Sequence, residues 1–422
     1  MFKSIIAAIS LAGAAFAQLG SNPLTPLREG MDRTEAVKIT DNIYQAVGFG
    51  NTFLVTTSEG NVIIDTSSIL AAPLHVKLLK ARSAAPVKYI ILTHGHPDHT
   101  GGVALWKQAG TEVIAQRSQV EFLNYQDRLS RFFALRNAAQ FVFPAPPSAP
   151  WHGNENAKQL ATIFFDDHYE FTLGGIKFEL HSTPGETPDH LSVWIPQWKA
   201  AFTGDNFYAS FPNIYTLRGT EPRPALNYVH SLDKVLAWKP ELLLPSHGPV
   251  TRGADKIAAD VTRYRNAILY VHDAVVKGMN DGKDVWTLMR EIKLPSNLDV
   301  GEGYGKLTWS VRGIYEGYAG WFDLNPATMY EAPASSPYAD LVKLAGGPGP
   351  VVARALEVLN AGQVPEALRL IDAALAADPA NRAAWEARLK ALEALVAQSR
   401  NSNERGWLDY SVRETKAKLT RL

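Results

Sequence analysis

Four side chains that bind metal ions well lie within six residues of one another, directly after an apolar stretch. The stretch covers residues 87–92, and His94-Gly95-His96-Pro97-Asp98-His99 follows it after one threonine. Four such side chains cannot share one face of a regular helix or strand, so we expect a loop at the carboxyl end of a buried strand. There they can point into one cavity. His94 and His96 would share one metal ion, and Asp98 and His99 would lie beside a second.

Two later residues occupy similar positions after apolar stretches. Asp205 follows residues 200–203, and His247 follows residues 242–244. The Asp205 carboxylate would bridge both metals, and His247 would complete the second. Taken alone, either residue has a helix-cap or turn role as its alternative. The nitrogen and oxygen donors suit Zn²⁺ and leave Mn²⁺ and iron open.

The amino-acid composition restricts both the metal chemistry and the partners. The chain has no cysteine, so it has no disulfide, thiolate nucleophile or thiolate ligand. Its 42 Lys and Arg residues balance 42 Asp and Glu residues. This balance gives no electrostatic reason to expect nucleic acid or an anionic membrane as a partner.

The first residues resemble a secretory signal peptide. Lys3 precedes a short apolar stretch at residues 5–16, and Ala15-Phe16-Ala17 fits a cleavage site before Gln18. We therefore expect residues 1–17 to be removed and the protein to be secreted or periplasmic. An uncleaved, buried N-terminal helix is the alternative. No other apolar stretch approaches the roughly 18 residues of a transmembrane helix.

The order of apolar patterns predicts the fold. Short β-type stretches between residues 40 and 66 are followed by helical patterns and by strands at 87–92, 112–115, 169–173, 176–181, 192–195, 200–203 and 242–244. This order predicts an α/β fold, an αββα sandwich over residues 18–254. Residues 255–422 are predicted to be helical, with a tetratricopeptide-like hairpin in 350–422. Residues 141–156, rich in proline and alanine, are predicted to form a loop that could cover the site.

The metal pattern resembles that of the metallo-β-lactamase superfamily. The resemblance rests on H-x-H-x-D-H, Pro184-Gly185, Gly204-Asp205 and Ser246-His247-Gly248. It implies two zinc ions per chain and hydrolysis by a metal-bridging hydroxide, with Asp98 orienting that hydroxide. Most members have histidine after the Pro-Gly pair, whereas this chain has Glu186. Either Glu186 or His190 would then supply the missing ligand.

A narrower resemblance is to the alkylsulfatases of this superfamily. It rests on residues 213–219 and on residues 320–326, which resemble the dimerisation region of that family. The resemblance implies that Glu186 ligates the first metal, that Arg218 contacts the sulfate of a small anionic ester, and that the protein is a homodimer.

Two departures from the alkylsulfatase pattern leave other functions open. Asp205 stands where that family usually has glutamate, and Trp309 stands where it has a histidine. A β-lactam or lactone hydrolase using the same metals is therefore an alternative. A non-catalytic periplasmic assembly protein is a second alternative, which the helical C-terminal third favours. Four aromatic residues are candidates for an apolar substrate wall: Tyr208, Phe211, Tyr215 and Trp309.

Overall fold

The computed structural model of the protein describes residues 26–145 and 159–422. The proposed signal peptide, 1–17, lies outside the described residues, as does the greater part of the predicted 141–156 loop. The strands are β1 Val37–Lys38, β2 Ile43–Ala46, β3 Thr52–Thr57, β4 Gly60–Ile64, β5 Val87–Ile91, β6 Glu112–Gln116, β7 Ile163–Phe165, β8 His168–Leu173, β9 Ile176–Ser182, β10 Leu191–Ile195, β11 Ala200–Gly204, β12 Leu242–Pro245 and β13 Thr251–Arg252.

These strands form two sheets. The first has the order β1-β2-β3-β4-β5-β6-β7, and the second has the order β13-β12-β11-β10-β9-β8. Strands β4 to β7 run parallel, with Ile64 opposite Ile91. In the second sheet only the β11–β12 pair is parallel, with Phe202 opposite Leu244. Parallel neighbours end at the same edge of a sheet, so residues that follow them come close together.

The sheets pack face to face over an apolar core. Phe53, Ile64 and Ile91 of the first sheet belong to the same cluster as Phe178 and Phe202 of the second. The rings of Phe53 and Phe202 meet edge to face at 5.2 Å. This core holds the carboxyl ends of the parallel pairs β4–β5 and β11–β12 in fixed positions.

Helices cover both outer faces, so the αββα sandwich predicted from the sequence is confirmed. Leu79 and Trp106 pack on the first sheet, and Tyr228, Leu232 and Tyr264 pack on the second. The helices are α1 Ala72–Lys80, α2 Pro97–Thr100, α3 Val103–Trp106, α4 Gln119–Arg128, α5 Ser130–Gln140, α6 Ala225–Ala237, α7 Ala254–Asn280, α8 Val285–Glu291, α9 Leu307–Ala319, α10 Tyr338–Leu344, α11 Pro348–Asn360, α12 Val364–Ala377, α13 Arg382–Gln398 and α14 Ser402–Arg421. Short 3₁₀ helices occupy Pro26–Arg28, Pro196–Trp198, Ser296–Leu298 and Pro326–Met329.

The described chain divides into two compact units. The first contains both sheets and ends at Tyr318, and the second comprises residues 137–145 and 319–422. Helices α11 to α13 of the second unit pack around Ala355, Ile371 and Ala391, as expected for consecutive antiparallel helices. The predicted domain boundary at residue 254 coincides with the first residue of α7, although the first compact unit continues beyond α7. None of the helices in the described ranges combines the length and apolar character that crossing a bilayer requires.

Candidate metal centre

Four loops at the carboxyl ends of parallel strands converge on one side of the sandwich. The β4 loop carries Asp65, the β5 loop carries the segment 94–99, and the β11 and β12 loops carry Asp205 and His247. The structure differs from the sequence prediction in one detail. Asp98 and His99 lie in the single-turn helix α2, which begins at Pro97, a residue well suited to the first helical position.

The predicted ligands form one continuous cluster of buried or half-buried donors. Asp98, His99 and His247 place a donor atom each within 4.8 Å of one another, and so do His96, Glu186 and Asp205. A third set, His94, His99 and Asp205, satisfies the same criterion. All seven predicted ligands are therefore brought together: His94, His96, Asp98, His99, Glu186, Asp205 and His247.

Asp205 lies at the centre of this cluster. Its Oδ2 is 3.0 Å from His247 Nε2 and 3.8 Å from His94 Nε2, and its Oδ1 is 3.4 Å from His99 Nε2. One carboxylate thus faces donors of both expected metal sites. This position matches the bridging role that the sequence analysis assigned to Asp205.

The protonation states of His94, His96 and Asp205 favour metal binding. Burial lowers the pKa of His94 and of His96 well below the usual imidazole range, so both rings are neutral and offer a lone pair. Burial opposes ionisation of Asp205, but His247, His99 and His94 hold the pKa of its carboxyl well below the usual range. Neutral imidazoles and ionised carboxylates are the forms that ligate metals.

Asp65 fixes the orientation of this histidine cluster. Its carboxylate accepts hydrogen bonds from the Thr93 backbone N–H at 2.8 Å and from the Ser246 hydroxyl at 2.7 Å, and it faces His99 Nδ1 at 2.8 Å. His99 Nε2 is thereby directed toward Asp98 and Asp205. A carboxylate behind a ligand imidazole is a common feature of zinc sites.

The two candidates for the ligand after Pro184-Gly185 have different surroundings. Glu186 Oε1 lies 3.9 Å from His96 Nδ1, inside the cluster. His190 instead accepts a hydrogen bond at Nε2 from the Asp205 backbone N–H, at 3.0 Å, and its Nδ1 lies 3.0 Å from Thr183 Oγ1. Both nitrogens of His190 are engaged behind the cluster, whereas Glu186 belongs to the group of possible donors that includes His96 and Asp205.

Two buried atoms at the centre of the donor cluster bear on whether metal ions fit there. His99 Nε2 and Asp205 Oδ1 have no hydrogen-bond partner among the described residues, and they face each other across 3.4 Å. Buried polar atoms normally have partners, and an ion between two such acceptors provides one. The donor set therefore fits divalent metal ions.

The other predicted residues have different surroundings. The Arg218 guanidinium hydrogen-bonds to Tyr304, whose pKa burial raises to about 12 against the opposing effect of Arg218. Trp309 is half-buried in α9, with Lys306 Nζ 5.5 Å from the centre of its ring. Of the four candidate aromatic wall residues, Tyr208 lines a 220 Å³ cavity together with His247, whereas Phe211 is fully buried in the core.

Sequence reasoning missed several residues that hold the site. Tyr228 donates to Glu186 Oε2 at 2.8 Å, and Arg223 Nη1 lies 2.6 Å from Glu186 Oε1. Asn206 Oδ1 accepts from the Glu186 backbone N–H at 3.0 Å. Among the residues that sequence reasoning missed, only Asp65 could have been found from the sequence, because it directly follows an apolar strand, as Asp205 does.

A further group of possible donors lies on the hairpin of β8 and β9. His168, Glu179 and His181 place donor atoms within 4.8 Å of one another. The Lys177 ammonium group already pairs with Glu179 at 2.8 Å. This partly exposed group is separate from the predicted ligands.

An αββα sandwich with a histidine and carboxylate cluster at the carboxyl ends of its strands defines the metallo-β-lactamase class of proteins. The family model described as "Metallo-beta-lactamase superfamily" matches residues 46–247, and the model "Alkyl sulfatase dimerisation" matches residues 287–417. The chain therefore combines a metallo-β-lactamase domain with an alkyl sulfatase dimerisation domain, as its sequence motifs predicted.

Curated relatives agree with this assignment. A linear primary-alkylsulfatase of Pseudomonas sp. (strain ATCC 19151) is 28% identical over 390 residues, which cover 87% of this chain and 74% of that protein. An alkyl/aryl-sulfatase of Saccharomyces cerevisiae is 28% identical, with 87% of this chain and 62% of that protein covered. An (R)-specific secondary-alkylsulfatase of Pseudomonas sp. is 26% identical, and the chain spans 60% of its length. The chain is homologous to these alkylsulfatases and is shorter than all three.

A solved structure shows the same fold. The inverting sec-alkylsulfatase Pisa1 from Pseudomonas sp. superposes with a TM-score of 0.81 at 23% identity, covering 91% of this chain and 65% of that chain. The likeness extends through the sandwich and the helical region, so it supports the fold of both.

Proposed function

We propose that the protein is a dinuclear zinc hydrolase that acts on sulfate esters. The observation that carries the proposal is the cluster of seven buried or half-buried donors, in which Glu186 takes the position that most of the superfamily gives to histidine. Homology to curated alkylsulfatases indicates hydrolysis of sulfate esters.

His94, His96 and Glu186 would hold the first ion, and Asp98, His99 and His247 the second, with Asp205 between them. A pair of zinc ions supplies Lewis acidity and lowers the pKa of water to about 7. Hydrolysis adds one water to the ester and releases an alcohol and hydrogen sulfate. No serine or cysteine nucleophile is needed.

The chain's own residues would orient the reactants. Asp98 is the most accessible carboxylate of the cluster, with 21% of its side chain exposed against 7% for Asp205 and 5% for Glu186. Asp98 would therefore accept a hydrogen bond from the attacking water. Arg218 would bind the sulfate group, because a guanidinium matches the oxygen geometry of an oxyanion.

The cavity beside His247 would receive the organic part of the ester. Its aromatic lining residues are Phe49, Tyr208 and Tyr304, and the Phe49 ring centre is 5.0 Å from that of His247. Apolar walls next to charged donors suit a substrate with an alkyl chain and an anionic head. We also propose that the protein is a homodimer carrying a cleavable signal peptide.

A substrate panel tests the proposed reaction. Zinc-loaded protein is incubated with a medium-chain alkyl sulfate, a phosphate monoester, nitrocefin and an acyl-lactone, and each product is measured. We expect sulfate release that a chelator abolishes and that the His96→Ala variant lacks. Hydrolysis of nitrocefin or the lactone without any sulfate release would instead identify a lactam or lactone hydrolase, the alternative raised by Asp205 and Trp309.

A further inference from the structure

Arg223 is a buried cation beside the candidate metal centre. Only 3% of its side chain is exposed. Its Nη1 lies 2.6 Å from Glu186 Oε1 and donates to the Asn213 backbone carbonyl at 2.8 Å. One end of the guanidinium therefore anchors Arg223 to Glu186 and to the loop that follows Asp205.

The opposite edge of the same guanidinium has no partner in the part of the chain that the structure describes. Neither Nε nor Nη2 of Arg223 forms a hydrogen bond with any described residue, although both are buried. Burying an unsatisfied charged donor is unfavourable, so such groups are normally paired. A lysine at this position would pair with Glu186 and would not leave two buried N–H donors without a partner. The ion pair with Glu186 alone therefore does not explain why this residue is an arginine.

Arg223 lies beside the candidate metal centre, because its Nη1 contacts the predicted ligand Glu186. Arg218 and Arg223 both lower the pKa of His96, after burial, and both oppose the effect of burial on the pKa of Glu186. They also act together on Tyr125, whose pKa is raised by burial and by the charge of Glu221 and lowered by both guanidinium groups. The charges of both guanidinium groups therefore act on the part of the cluster that contains His96 and Glu186.

The charge of Arg223 favours an anion at its unpartnered donors. Its guanidinium is a buried cation that is paired through Nη1 with Glu186, and its Nε and Nη2 have no partner among the described residues. An anionic oxygen is the acceptor with which charged N–H donors form their strongest hydrogen bonds.

We propose that Arg223 binds the anionic head of the substrate, with its Nε–H and Nη2–H donating to two oxygens of the sulfate group while Arg218 binds the group from another side. Nε–H and Nη2–H point in parallel from one edge of a guanidinium and match two oxygens of an oxyanion. This inference rests on the proposed function for the identity of the anion. It adds a second arginine to the one that the sequence motif indicated.

Binding of inorganic sulfate to the zinc-loaded protein tests this assignment without requiring turnover. Calorimetric titration compares the wild type with Arg223→Lys, which keeps the positive charge but loses the two parallel donors. We expect sulfate affinity to fall about tenfold or more, because bidentate charge-assisted hydrogen bonds are lost. Arg265→Lys is the matched control, since Arg265 makes a similar two-donor contact with Asp233 at 3.0 and 3.2 Å on the surface.

The zinc content of each sample separates sulfate binding from a role in positioning Glu186. If Arg223→Lys keeps its zinc, or regains it with added zinc, and still binds sulfate weakly, the proposal stands. Wild-type sulfate affinity in zinc-loaded Arg223→Lys would overturn it. Should the variant fail to fold, a crystal structure of the zinc-loaded wild type with sulfate decides. Sulfate oxygens within hydrogen-bond distance of Nε and Nη2 support the proposal, and sulfate bound elsewhere or not at all refutes it.

The proposed hydrolysis of sulfate esters and the proposed role of Arg223 can be refuted independently of each other. If no sulfate ester is hydrolysed but sulfate binding depends on Arg223, only the proposed reaction is wrong. If sulfate esters are hydrolysed and sulfate binds equally well to Arg223→Lys, only the role of Arg223 is wrong.

Discussion

Asp65 shows how a single residue with no direct place among the ligands can control them. It adopts a backbone φ of 56°, a left-handed conformation that aspartate tolerates better than most residues. In that conformation its carboxylate reaches Thr93 and His99 in the segment after β5 and Ser246 in the loop after β12. One side chain therefore fixes the relative positions of residues that are distant in the sequence.

We predict that Asp65→Asn lowers zinc affinity by about 10- to 100-fold, the usual effect of removing a partner of a ligand imidazole. The amide keeps the size of the side chain but not its charge toward His99 Nδ1. Competition with a chromophoric chelator measures the affinity. Asp233→Asn, on the surface, serves as the control, and equal affinities in the two variants would contradict this role of Asp65.

The burial of His75 predicts that the free energy of unfolding of the protein depends on pH. It is 1% exposed in α1, with Nδ1 3.0 Å from Thr52 Oγ1, and burial lowers its pKa to about 4. The unfolded chain binds the proton at about pH 6.5, so the folded state loses about 3 kcal/mol as the pH falls from 6.5 to 4. Above pH 6.5 this loss is absent.

The variant His75→Gln removes this titration. Its free energy of unfolding in urea, relative to the wild type, should therefore improve as the pH is lowered from 7 to 4.5. A difference between the two proteins that stays constant over this range would show that His75 does not titrate in this way.

At the scale of the element, the end of β11 shows how a strand positions a ligand. Gly204 has a φ of +51°, and a Cβ atom there would lie 2.3 Å from His190 Nε2. The next residue, Asp205, donates its backbone N–H to that same nitrogen. Only glycine both permits this turn and lets His190 approach closely enough to hold Asp205.

We predict that Gly204→Ala destabilises the fold by roughly 1–3 kcal/mol more than Gly175→Ala and also weakens zinc binding. Gly175 has a φ of +78°, and a Cβ atom there would have nothing within 4 Å, so its substitution reports the backbone strain alone. Urea unfolding and zinc titration of both variants provide the measurement. Equal effects would show that the contact with His190 is unimportant.

The strands that carry the ligands were predictable because they are apolar, bounded by turns and followed by metal-binding side chains. Helices α4 and α5 were not predicted. Apolar residues such as Phe132 and Leu135 are 44% and 45% exposed, which blurs the periodicity of α5. The contact of Asp65 with Ser246 spans 181 residues, and that of Tyr228 with Glu186 spans 42. Such contacts depend on tertiary packing, so local patterns do not reveal them.

At the scale of the molecule, the second unit exposes large apolar side chains. Leu324 and Leu344 are each 85% exposed, Trp321 is 73% exposed, and Tyr330 is 68% exposed. Large apolar side chains that are this exposed are typical of interaction surfaces. Together with the match to an alkyl sulfatase dimerisation model, it supports the proposed homodimer.

We predict a mass near twice that of one chain in light scattering. Leu324→Asp should shift the protein toward the monomer, because a buried unpaired charge destabilises an apolar interface. Leu105→Asp, at a 44% exposed leucine of the first unit, should leave the mass unchanged. A monomeric mass for the wild type would contradict the dimer.

The central proposal is that the cluster would hold two zinc ions, with Glu186 as one of the ligands. The most direct test is the zinc-to-chain ratio, measured by elemental analysis after dialysis, for the wild type and Glu186→Gln side by side. We predict two zinc ions per wild-type chain and one in the variant. Fewer than two in the wild type, or an unchanged ratio in Glu186→Gln, would contradict this arrangement.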